Sequence, residues 1–176
     1  MGGTFMVSLD FELFWGMLDV CPLEAYQDNV LGGKKAIPQL LRLFEQYGIH
    51  ATWATVGYLF AENKEELKTF FPPPEERPAY ADTRLDPYAY LETIGDNEEE
   101  APCFYAPELL KVIAQTPGQE IGTHTFCPYY CWAEGQTVEQ FAADMHKAIE
   151  QIAALYGCEA EFTRYTHPIY ETRNTT

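Results

Sequence analysis

Asp10 and Glu12 are the first residues of this sequence whose types and spacing suit chemistry. They close Phe5-Met6-Val7-Ser8-Leu9-Asp10-Phe11-Glu12, whose apolar, partly β-branched opening reads as a short buried strand. Carboxylates at the end of a buried strand are costly unless paired or bound to a cation. Along a regular strand, residues two apart share a face, so Asp10 and Glu12 can converge on one cation or one substrate. A lone pair of this kind also arises where a strand simply runs into a solvated loop. His124 weighs against that reading. It ends a second short run, Gln119-Glu120-Ile121-Gly122-Thr123. In parallel α/β architectures the C-terminal strand ends form one rim, and chemistry is assembled there.

The elements that must position these groups follow from periodicity. Ile37, Leu40, Leu41, Phe44 and Tyr47 recur at helical spacing and Gly48 follows as a stop. Pro38 fits only near a first turn, which predicts a helix near 37–47. Ile49 to Gly57 reads as a second buried strand, near 50–55. Strand, helix, strand is a βαβ unit and implies a parallel sheet with a right-handed crossover. His50 begins that second strand, so it is expected away from Asp10 and His124. Residues 72–105 are rich in proline, acid and tyrosine and read as a long surface excursion, whose Tyr80, Tyr88 and Tyr90 suit either stacking on a sugar or packing onto the body, the latter favoured. Pro107 opens a further helix that ends at Thr116-Pro117-Gly118. A third strand is expected at 119–123. Thr137-Val138-Glu139-Gln140 is a capping-box pattern. It leads an amphipathic helix to 156, with Phe141, Met145, Ala148, Ile149, Ile152, Leu155 and Tyr156 on one face. Residues 158–176 read as an irregular tail.

Composition sets outer bounds. The 176 residues suffice for one domain with a core, and 47% hydrophobic content is globular. A net charge of -16, from 27 acidic and 11 basic residues, leaves no basic stripe for nucleic acid or an anionic membrane. No apolar run approaches a membrane span. Five cysteines without disulfide-framework spacing, and an opening segment unlike a secretory signal, lead us to expect a cytoplasmic location.

Three stretches together are similar to the polysaccharide deacetylase family (NodB homology, carbohydrate esterase family 4). They are Ser8-Leu9-Asp10-Phe11-Glu12, His50-Ala51-Thr52-Trp53-Ala54-Thr55-Val56-Gly57 and Glu120-Ile121-Gly122-Thr123-His124-Thr125-Phe126, in the right order and spacing. The resemblance spans roughly Phe5 to Gly157. It implies an α/β fold: the N-terminal part of a distorted, seven-stranded β/α barrel, with residues 1–176 a single, incomplete domain. It implies hydrolysis of N- or O-acetyl groups on sugars with one divalent metal, zinc above all. The acetylated carbohydrate is then the partner. Carried onto this chain, Asp10 matches the general base, and Glu12 and His124 match metal ligands. Family members with adjacent aspartates would instead place the ligand at Phe11. The family's second histidine falls at position 128, where this chain has Pro128, which cannot bind metal. Cys127 and Cys131 are the candidate substitute ligands, since thiolates suit zinc. Trp15, in the aromatic loop Phe14 to Leu18, and Tyr129 are the candidate substrate-binding aromatics. The family's later motifs are missing, with Arg164 a degenerate counterpart of the arginine one.

The leading expectation is therefore a metal-dependent carbohydrate deacetylase. The alternative is a non-catalytic carbohydrate-binding or scaffold remnant, which Pro128 favours. A small zinc module built on His124, Cys127 and Cys131, and a barrel glycosidase using a carboxylate pair, fit less of the pattern. The sugar, the metal and the oligomeric state are not encoded in any motif.

Overall fold

The computed structural model describes Gly3 and residues 5–157. Arg164 and the tail at 158–176 lie outside the described residues. Three parallel strands form one sheet in the order β1-β2-β3: β1 (Val7–Phe11), β2 (Ala51–Thr55) and β3 (Gln119–Thr123). The register pairs Asp10 with Ala54 and Gly122 with Ala54, so the three C-terminal ends are level. The central strand is the most buried, as its run of small and apolar residues requires. The parallel α/β class expected from the sequence is thus observed, as a three-stranded sheet.

The first strand departs from expectation. It starts at Val7, and Phe5 and Met6 are 90% and 81% exposed. An edge strand has a neighbour on one side only, and here Ser8 and Asp10 face solvent. Apolar residue type alone does not distinguish an edge strand from a central one.

The first helix, α1 (Leu23–Tyr47), is far longer than 37–47 and carries Pro38 inside it. An interior proline costs about 3 kcal/mol in an isolated helix. Tertiary contacts offset that cost here. Val30, Ile37, Leu41 and Phe44 are buried on one face. In addition, Lys34 Nζ donates to Glu98 Oε1 (2.6 Å), the Pro102 carbonyl (2.7 Å) and the Tyr105 carbonyl (2.8 Å). Gly48 ends the helix in the left-handed conformation, as read from the sequence.

The helices α2 (Lys64–Thr69), α3 (Pro87–Leu91), α4 (Pro107–Gln115) and α5 (Val138–Tyr156) complete the described elements with short 3-10 turns. The capping box is formed in both directions between Thr137 and Gln140. The 72–105 excursion is not confined to the surface. Tyr80, Tyr88, Leu91, Cys103 and Phe104 are buried, and the last two reach the loop after β1. The segment lacks periodicity because its apolar residues meet the body at irregular turns rather than along one helix or strand.

Candidate metal centre

Two loops leave the C-terminal rim, and both are tied down by backbone hydrogen bonds. After β1, Glu12 begins a 3-10 turn, Leu13–Met17, and the Trp15 amide donates to its carbonyl (3.1 Å). The Phe14 amide donates to the Cys103 carbonyl (3.1 Å), and Trp15 Nε1 donates to the Phe104 carbonyl (2.8 Å). The excursion therefore anchors the segment that carries Glu12. After β3, the His124 amide donates to the Thr55 carbonyl at the end of β2 (2.9 Å). Gly57 and Tyr58 donate to the carbonyls of Thr125 and Phe126 (both 3.0 Å). A Cβ on Gly57 would lie 2.8 Å from the Phe126 carbonyl oxygen, so this approach of two backbones needs glycine.

Leu13 and Thr125, each directly after Glu12 and His124 respectively, have positive φ of 52° and 70°. Side chains other than glycine rarely adopt that region, and such outliers concentrate at functional sites. Each turns the chain sharply just after its rim residue.

The result is a cluster. One ligand atom each from Asp10, Glu12 and His124 lies within 4.8 Å of the others. Glu12 Oε1 is 3.4 Å from His124 Nε2. That hydrogen bond, reinforced by the charges of Glu12 and Asp10 and opposed by burial, holds the imidazole pKa above its ordinary value. Carboxylate oxygens and an imidazole nitrogen are donors that suit a divalent metal such as zinc. Among the described residues, this is the one group of three or more such side chains so placed. Glu12 and His124 also line a cleft of about 180 Å³, with Gly16, Asp19, Tyr129, Tyr130 and Met145 among its walls.

The polysaccharide deacetylase family model matches residues 23–175. The chain belongs to the polysaccharide deacetylase family. The matched range contains His124 and begins after Asp10 and Glu12, so those two rest on geometry. No curated protein matches the chain.

Within this deacetylase-family fold, the other expected site residues divide. Pro128 and Tyr129 line the cleft, and the Tyr129 hydroxyl lies 3.3 Å from Gln136 Oε1. Cys131 lines it too, outside the ligand cluster. Cys127 is not a substitute ligand: it is fully buried and faces Asp144, and burial raises its thiol pKa, which disfavours the thiolate. Trp15 is among the residues that line the cleft, but its side chain is packed into the core. It is 0% exposed, with edge-on contacts to Tyr58 and Phe104. His50 sits at the opposite end of the sheet, against Gly118 and beside Val7 and Gln119.

Sequence reasoning missed Asp19, Tyr130 and Asp144. Asp19 and Tyr130 carry no motif. Burial and the neighbouring Asp19 carboxylate raise the Tyr130 hydroxyl pKa. Asp144 did leave a signal: an acid set between Phe141 and Met145 on an apolar stripe. It is buried, and its two oxygens accept the amides of Phe126 (2.7 Å) and Cys127 (3.0 Å), fixing the loop after His124.

Proposed function

We propose that this protein is a metal-dependent hydrolase that removes acetyl groups from a carbohydrate. The observation that carries the reading is the convergence of Asp10, Glu12 and His124 within 4.8 Å, at the C-terminal rim of a sheet in a deacetylase-family chain. Glu12 and His124 would hold the metal, and Asp10 would act as general base. The three strands are then one arc of the family's distorted seven-stranded barrel.

A bound divalent metal supplies Lewis-acid polarisation of the acetyl carbonyl and acidifies water. Asp10 is exposed beside Glu12 and His124 and would take the proton from the attacking water. Water adds to the acetyl carbon, the carbon–nitrogen or carbon–oxygen bond breaks, and the proton goes to the leaving sugar atom. The products are acetate and the free amine or hydroxyl. His124, held by Thr55 and Glu12, keeps its ring aimed at the carboxylate pair. Tyr129 walls the cleft against bulk water.

The test is acetate release from N-acetylglucosamine oligomers and from O-acetylated sugars by the purified chain, with zinc supplied and then removed by a chelator. Zinc-dependent release is expected. Absence of both zinc binding and acetate release would instead favour a non-catalytic, carbohydrate-binding role.

A further inference from the structure

Asp19 is the carboxylate of the cleft that the metal cluster does not use. It lines the cleft with Glu12, His124 and Tyr130, yet stands outside the group formed by Asp10, Glu12 and His124. It is exposed, on the loop after β1. The two amides that follow it, of Val20 (3.0 Å) and Cys21 (3.3 Å), both donate to the Met17 carbonyl, so a tight turn fixes the backbone that carries it. Burial, together with the Asp19 and Glu12 carboxylates, holds the Tyr130 hydroxyl pKa above its ordinary value. One hydroxyl of the cleft wall thus feels both charges.

The charge left over at this wall is negative. Asp10 and Glu12 together carry the two negative charges that a divalent cation neutralises. Among the described residues, no lysine or arginine lines the cleft. The cations are engaged elsewhere. Lys34, Lys64, Lys68, Arg84, Lys111 and Lys147 each pair with a carboxylate other than Asp19. Arg77 lies over the rings of Phe71 and Tyr88. The chain as a whole adds a field of the same sign, from a net charge of -16. Such a field acts on a charged ligand at a distance, and the walls of a cleft focus it. Asp19 acts at contact.

The charge of the occupant follows. An anionic sugar unit beside Asp19 sets two like charges together with no described cation between them. A neutral unit donates its hydroxyls to the carboxylate, and a unit with a free ammonium gains an opposite charge.

We propose that Asp19 selects the carbohydrate by charge, admitting one that is neutral or bears free amines and rejecting one that bears carboxylates or sulfates beside the acetylated unit. This rests on the deacetylase reading for the class of ligand. Binding is measured apart from hydrolysis, so that the two can fail separately.

The measurement is calorimetric titration of the full chain, zinc supplied, with three tetrasaccharides at a pH where a free amine is protonated. They are the N-acetylglucosamine tetramer, the same tetramer with one unit as the free amine, and one in which N-acetylglucosamine alternates with glucuronate. The amine-bearing tetramer is expected to bind roughly threefold tighter than the neutral one, the scale of an exposed ion pair. The glucuronate tetramer should bind roughly tenfold weaker than the neutral one, since like charges set together are costly. Raising salt from about 0.1 M to about 1 M shortens the screening length from about 10 Å to about 3 Å and should draw the three affinities together. Asp19→Asn should shrink both ratios and Asp19→Glu should keep them. Glu45 is exposed near the end of α1 that leads into the start of β2, toward the opposite end of the sheet. Glu45→Gln makes the same change in net charge there and should leave both ratios as they are. Three equal affinities at low salt, or ratios that Asp19→Asn leaves intact or that Glu45→Gln shifts as much, overturn the selection. If acetate is still released in that case, the deacetylase reading stands. Ranked binding that depends on Asp19, without acetate release from any tetramer, keeps the selection and removes the deacetylase reading. Failure of all three to bind overturns both.

Discussion

Glu12 and His124 meet side chain to side chain, 3.4 Å apart, although their strands do not pair. They follow β1 and β3, the two outer strands, and β2 lies between. Adjacent strands are about 4.8 Å apart, so the outer two are separated by roughly twice that. The two side chains reach across the end of β2 to close the gap. That end is occupied by Thr55 and Val56, whose backbones bond both outer segments: the Thr55 carbonyl accepts from His124, and the Val56 amide donates to the Phe11 carbonyl.

Glu12 and Asp10 should therefore separate on mutation. Glu12→Gln is expected to weaken zinc binding by more than the roughly 10–100-fold typical of losing a supporting partner. Asp10→Asn should keep most zinc affinity and reduce acetate release by about 10²–10⁴-fold, as expected for loss of a general base. Zinc titration alongside acetate assays checks this. If Asp10→Asn loses zinc as severely as Glu12→Gln, the assigned roles are wrong.

Pro128 shares the cleft with His124. Pro128→His should raise zinc affinity, by roughly tenfold or more if an added ligand is worth at least a supporting partner. Equal affinity of the two proteins would mean that position 128 does not face the metal position.

Gly16 crowds Glu12. A Cβ at position 16 would lie 2.6 Å from Glu12 Oε2, the far end of a flexible side chain. Gly16→Ala should thus displace the carboxylate while changing stability by no more than about 1 kcal/mol. Weakened zinc binding with a nearly unchanged melting temperature is the expected pair of results. A variant that binds zinc normally would show that the carboxylate has room to spare.

Asp144 makes stability depend on pH. Burial raises its carboxyl pKa from 3.8 to about 6, against the hydrogen bonds from Cys127 and Phe126 that lower it. A folded pKa above the unfolded one means that the native state binds the proton more tightly. The resulting stabilisation is complete below about pH 4 and is lost as pH rises through about 6. Its size is of order 3 kcal/mol. Denaturant unfolding from pH 4 to 7 should show this loss in the wild type and not in Asp144→Asn. The variant should also be less stable overall, because an amide presents only one oxygen to two backbone amides. Identical pH profiles would exclude Asp144 as the source.

Periodicity and punctuation by themselves determined the βαβ order, the third strand at 119–123, the capped helix from 138 and the glycine stops, because these depend on neighbours along the chain. The same holds for where the candidate site residues stand along the chain: Asp10 near the end of β1, and Glu12 and His124 directly after β1 and β3. Tertiary structure alone decided the rest. It kept α1 continuous through Pro38, since burial and the Lys34 contacts outweigh a local penalty. It turned Trp15 and Cys127 inward and left Trp132 outside, a choice that residue type cannot make. It also brought Glu12 to His124, because only the strand order places β2 between them and bends both exits over its end.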